Sequence, residues 1–101
     1  HYMFSCKINI QNLTDYSAQL MRRHWFIFDS NGTHREVEGE GVVGQQPIID
    51  PGQFHEYVSG CNLKTDIGSM KGSYEMRRLV DDEEFEVKIP EFNMIAPFKL
   101  N

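Results

Sequence analysis

Cysteine, basic charge and long apolar runs are all scarce in this chain, and each shortage removes a class of function. Two of the 101 residues are cysteine, and Cys6 and Cys61 have neither the spacing of a metal site nor the density of a disulfide-stapled secreted scaffold. Two reduced thiols are expected, with a Cys6–Cys61 disulfide as the lesser alternative. Lys and Arg number 10 against 15 Asp and Glu, a formal net charge of −5. Binding to a phosphate backbone needs clustered positive charge, so nucleic acid is not an expected partner. No run approaches the roughly 18 apolar residues that span a bilayer, and no basic end joins an apolar run as in a signal peptide. No membrane partner is expected, and the expected location is the cytoplasm. The chain begins at His1 rather than methionine, so its start says nothing about a segment ahead of it.

Helical periodicity is missing too, whereas alternation with period two recurs between turn signals spaced about 8 to 12 residues apart. Tyr2, Phe4, Cys6, Ile8 and Ile10 share one face of a strand Tyr2–Ile10. Gln19–Asp29 carries bulk on both faces, Met21, Trp25 and Ile27 against Leu20, Phe26 and Phe28, which marks a central strand. Asn31-Gly32 tolerates the positive φ of a tight hairpin, so Thr33–Glu38 should fold straight back. Residues 39–52 hold four of the eight glycines and two of the four prolines and form a shaped loop, with a short strand at Pro47–Ile49. Gln53–Ser59, Met70–Val80, Phe85–Ile89 and Phe92–Ala96 alternate again, with Pro90 confined to a strand end or edge. The whole chain, 1–101, reads as one all-β domain: a fibronectin type III-like or immunoglobulin-like β-sandwich of about seven strands. Its 40% hydrophobic and 12% aromatic content suffices for a core without metals or disulfides.

Gly39-Glu40-Gly41-Val42-Val43-Gly44 spells GxGxxG. In dinucleotide-binding folds that pattern turns a strand into a helix whose first amides hold a pyrophosphate. Here Pro47 and Asp50-Pro51-Gly52 forbid a useful helix, and Glu36, Glu38 and Glu40 would repel phosphate. The favoured reading is loop architecture at positions where Cβ atoms would clash. A weaker possibility is an anion-binding nest of loop amides assisted by Arg22, Arg23 or Lys71. Within Arg22-Arg23-His24-Trp25 the arginines point opposite ways; Trp25 is expected in the core with an arginine as its cover, an exposed hot spot being the alternative.

Chemistry-bearing sets are absent from the pattern. His1, His24, His34 and His55 show no paired ligand spacing, and Asp81 to Glu84 lacks the central glycine of a calcium loop, so no metal site and no cofactor are expected. His55, Ser59 and Cys61 lack any nucleophile signature, so no enzymatic activity is expected. The acidic run reads as a solvated hairpin tip.

Taken in order, Arg22-Arg23-His24-Trp25, Gly39 to Pro47 with Pro51-Gly52, Tyr57-Val58-Ser59-Gly60-Cys61, Gly68-Ser69-Met70-Lys71-Gly72-Ser73-Tyr74 and Ile89-Pro90-Glu91-Phe92 resemble the ApaG family, from about Tyr2 to Pro97. The resemblance implies a fibronectin type III-like sandwich without established enzymatic activity. Family members occur as short bacterial proteins and as domains of F-box and DNA-polymerase-interacting proteins, which implies protein–protein recognition. The bacterial members' association with cobalt resistance, magnesium efflux and diadenosine polyphosphate hydrolysis names no ligand. The expected function is a non-enzymatic module for an unidentified protein partner. The alternative is a small-ligand module for pyrophosphate-containing nucleotides or divalent cations. The candidate anion- or partner-binding residues are Arg22, Arg23, Gly39, Gly41, Gly44 and Lys71.

Overall fold

Alternating side chains become seven antiparallel strands among residues 2–95, those described by the computed structural model. They are β1 (Tyr2–Gln11), β2 (Ala18–Asp29), β3 (His34–Glu40), β4 (Ile48–Ile49), β5 (Phe54–Leu63), β6 (Ile67–Arg78) and β7 (Glu83–Ile95). His1, Ala96 and Pro97, to which expectations above extend, lie outside the described residues. β1 pairs with β5 in one sheet; β3, β2, β6 and β7 lie side by side in the other, with β4 also on β2. The arrangement is all-β in two sheets, consistent with a β-sandwich. β2 is central, as the bulk on both of its faces implied.

Two bulges decide which residues reach the core, and both correct the face assignments. Leu20 pairs with Met76 but Arg22 pairs with Glu75, so Met21 is an extra residue on β2. One inserted residue reverses the alternation. Leu20 therefore shares the buried face with Trp25 and Ile27, not the face of Phe26 and Phe28. On β7, Ile89 pairs with Gly72 and Phe92 with Met70, so Pro90 and Glu91 together oppose Lys71. The two short strands expected around Pro90 are one strand whose inward residues switch from Phe85, Val87 and Ile89 to Phe92 and Met94. Pro90 sits in this bulge on an edge strand, where a missing N–H is tolerated.

The core between the sheets joins Leu20, Trp25 and Ile27 of β2 and Met70, Tyr74 and Met76 of β6 to Tyr57, Cys61 and Leu63 of β5, with Phe4, Cys6, Ile8 and Ile10 of β1 packed against it. The Tyr57 and Tyr74 hydroxyls hydrogen-bond to each other inside it. Burial pushes both phenols above their ordinary range, so both stay neutral and can share one O–H···O bond. Both cysteines are free thiols, as expected.

The Asn-Gly hairpin forms with a three-residue loop, 30–32: Phe28 pairs with His34, Asp29 N donates to Thr33 O at 2.8 Å, Gly32 N donates to Asp29 O at 3.0 Å, and Gly32 takes φ 89°. Asp29 then anchors the next connection, its carboxylate accepting the Thr65 hydroxyl and the Lys64 amide, the latter at 2.7 Å. The Thr65 bond, chiefly, holds the carboxyl below its ordinary range. Asp81, bonded by Arg78, and Glu56, bonded by Lys7, are lowered too. In each case the unfolded state binds the proton more tightly. Stability is thus complete above the unfolded value near pH 4 and falls as the pH drops through the folded values. Thermal midpoints measured from pH 7 to pH 2 are expected to fall only below about pH 4, and Asp29→Asn should flatten part of that acid slope.

Candidate functional site

The glycine segment is shaped by the β2 bulge. The carbonyl of the extra residue, Met21, accepts Gly41 N at 2.9 Å and the Gln46 side-chain amide at 3.1 Å. Leu20 N then donates to Pro47 O at 3.0 Å. The chain thus leaves β3, turns back over the bulge and rejoins β2 as β4. Between those points Val42 and Gln45 close a tight turn through mutual backbone bonds of 2.8 and 3.0 Å. Val42, 1% exposed, is a plug in the core.

Arg23 is the one cationic candidate joined to this loop. Its Nη1 donates to Glu40 O and Gly41 O, both at 3.0 Å, and its guanidinium lies where a Cβ on Gly39 would fall. The guanidinium is therefore engaged by carbonyl oxygens of the same glycine segment that was a candidate anion nest. Arg22 points to the opposite face of the sheet, its register partners being Glu40 and Glu75. Lys71 lies on that outer face as well, opposite Phe26, with its ammonium 5.6 Å from the Phe28 ring centre. The structure brings Arg23, Gly39 and Gly41 together, holds Gly44 at the turn tip, and sets Arg22 and Lys71 apart from them.

Val43 at that tip has φ 47° and is 68% exposed. A β-branched residue in the left-handed region carries strain of about 1–2 kcal/mol without recovering it through burial. Val43→Asn, which tolerates this conformation, is expected to stabilise the protein by about 1 kcal/mol, read as a higher urea midpoint at unchanged slope.

A group that spacing along the chain did not reveal lies on the outer face. His24 of β2 sits between Glu36 and Glu38 of β3, with Nε2 2.5 Å from Glu36 Oε1 and Nδ1 3.2 Å from Glu38 Oε1. The Phe26 ring packs against the imidazole at 4.4 Å between centroids, tilted by 31°. The signal was present in the hairpin: in its observed register His24 faces Glu38, and Phe26 faces Glu36.

The residues weighed as nucleophiles are not assembled. Cys61 is buried, and desolvation raises its thiol above the ordinary range by more than the nearby Arg35 lowers it; Arg35 Nη2 approaches its Sγ at 3.5 Å. His55 stacks on Tyr57 at 6.2 Å, and Ser59 pairs with Cys6.

A family model described as the ApaG domain matches residues 1–78. The chain is 46% identical over 100 residues to Protein ApaG of Anaeromyxobacter dehalogenans (strain 2CP-C), covering 99% of this chain and 79% of that protein. It is also 46% identical over 100 residues to Protein ApaG of Dechloromonas aromatica (strain RCB), covering 99% and 78% respectively. A crystal structure from Bordetella pertussis, of a protein given the name ApaA, superposes with a TM-score of 0.91 at 43% identity, covering 97% of this chain and 79% of that one.

Proposed function

The chain belongs to the ApaG family, and from that premise we propose that it is a non-enzymatic binding module of fibronectin type III-like build that recognises a protein partner. The partner's extended segment adds as a strand to the open edge of β5. One observation carries this reading. β5 offers ten residues that pair with β1 on one side and, among the described residues, with no strand on the other. Unpaired strand edges invite backbone pairing and are normally blunted by charge, proline or bulges. The edges of the larger sheet are blunted in this way, by Glu36, Glu38 and Glu40 on β3 and by the Pro90 bulge on β7. β5 instead presents Phe54 and Val58, each more than half exposed. Backbone bonds would supply affinity, and these side chains would select apolar residues at alternate positions of the partner.

The alternative small-ligand reading divides by chemistry. The glycine loop offers carbonyl oxygens around Arg23, which suits pyrophosphate-containing nucleotides poorly. Divalent cations would use donors on the outer face of the larger sheet.

Capture of a partner from bacterial extract, followed by hydrogen exchange on the complex, tests the β5 edge. Slower exchange at Phe54 to Leu63 is expected, together with loss of capture in Phe54→Lys and Val58→Lys variants that still unfold cooperatively. Protection confined to residues 39–46, capture indifferent to both substitutions, or an extract that yields nothing would overturn it.

A further inference from the structure

His24, Glu36 and Glu38 each present one donor atom within 4.8 Å of the others. The two glutamates alternate on one strand, so the backbone of β3 sets both on the same face, and the packed Phe26 ring limits rotation of the imidazole between them. The group is chemically unbalanced without a positive charge. A neutral imidazole has one N–H and one lone pair, and an ionised carboxylate only accepts. With a carboxylate oxygen beside each ring nitrogen, neutral His24 sets a lone pair against a carboxylate. A metal ion held by that lone pair relieves the contact.

We infer that His24, Glu36 and Glu38 form a binding site for a divalent first-row transition-metal ion of the zinc class. The class follows from the donors. One imidazole nitrogen with two carboxylate oxygens suits zinc and nickel, whereas magnesium and calcium favour all-oxygen surroundings. Three protein ligands leave further positions for water or for a group supplied by a partner. Both glutamate side chains are more than half exposed, so an ion reaches the site without opening the core. The remaining charges around His24 are Arg22 on its own strand, Glu40 on β3, Glu75 on β6, and Glu86 and Lys88 on β7 in neighbouring rows, with Lys71 drawn over Phe28. The inference is independent of the β5 edge and stands or falls separately from it.

Calorimetric titration of the full chain with zinc chloride and with magnesium chloride tests the site. One zinc ion per chain is expected, with no comparable heat from magnesium. His24→Gln, Glu36→Gln and Glu38→Gln should each weaken zinc binding at least tenfold with the fold retained by circular dichroism, while His34→Gln and His55→Gln leave it unchanged. In NMR spectra zinc should shift the His24 ring resonances before those of His34 or His55. The site is overturned by absent zinc heat, by binding indifferent to the His24 and glutamate substitutions, or by equal affinity for magnesium.

Discussion

Trp25→Ala is expected to remove about 3–5 kcal/mol of stability, a large share of the roughly 5–15 kcal/mol that holds a domain of this kind. The indole is 3% exposed. It meets the Tyr74 ring edge-on at 6.1 Å and 86°, and the Phe92 ring at 6.2 Å and 89°. Tyr74 is in turn fixed to Tyr57 of the opposite sheet through their hydroxyls, which restrains it from collapsing into the space the indole would vacate. Across the ladder Trp25 faces Gly72, where a Cβ would fall 2.9 Å from indole Cε3. The ring thus covers a position with no side chain, and truncation exposes that stretch of β6 backbone. Urea unfolding should show the drop as a lower midpoint, with Trp25→Phe losing distinctly less because it keeps most of the ring contacts. A loss under about 1 kcal/mol for Trp25→Ala would contradict a central, unyielding position for the indole.

The fold was legible where alternation ran unbroken. In β1, the inward set Phe4, Cys6, Ile8 and Ile10 needs only a period of two. In β5, the same rule turns Tyr57, Cys61 and Leu63 inward and Phe54 and Val58 outward. It failed at Met21 and at Pro90-Glu91, where an inserted residue reverses the parity. An insertion of that kind carries no composition signal. Leu20 and Trp25 sit five positions apart and read as opposite faces until the register against β6 is known. Pro90 did announce an interruption, but a bulge that continues a strand and a break that ends it demand the same missing N–H.

The candidate site was legible only in part, for a related reason. Residue type gave the glycines as loop architecture and an arginine beside Trp25 as its expected cover, without choosing between Arg22 and Arg23. The grouping of His24 with Glu36 and Glu38 depends on the register across the hairpin, which its loop length decides. Asn31-Gly32 signals a hairpin equally well with two or three loop residues. A two-residue loop would move every β3 partner by one position, so the glutamates would no longer face His24 and Phe26. Arg22 and Lys71 were grouped with the loop by charge alone, and alternation sends both to the other face.

Among the three glycines of Gly39 to Gly44, Gly41 is expected to stand apart from the other two when each is replaced by alanine. Gly41 has φ 62°, and a Cβ there would lie 2.1 Å from Gln45 O, an oxygen already holding Val42 N at 2.8 Å. Left-handed strain of about 1–2 kcal/mol therefore adds to a backbone clash of similar size, and Gly41→Ala should lose about 3 kcal/mol. Gly44 has φ 75° but open space around its Cβ position, so strain acts alone and the expected loss is about 1 kcal/mol. At Gly39 the obstacle is the movable end of Arg23, 2.8 Å away, and the expected loss is about 1 kcal/mol, set by the guanidinium's two bonds to Glu40 O and Gly41 O. Urea midpoints would set the Gly41 variant well below the other two if the segment exists to carry the chain over the β2 bulge and seat Val42 in the core. A loop kept for phosphate would behave differently: stability would change little at Gly39 and Gly44, and affinity for a pyrophosphate-containing nucleotide would fall at all three. Calorimetry with such a nucleotide on the parent chain separates the two, because heat lost in parallel at all three positions cannot arise from a loop whose carbonyls are turned toward Arg23.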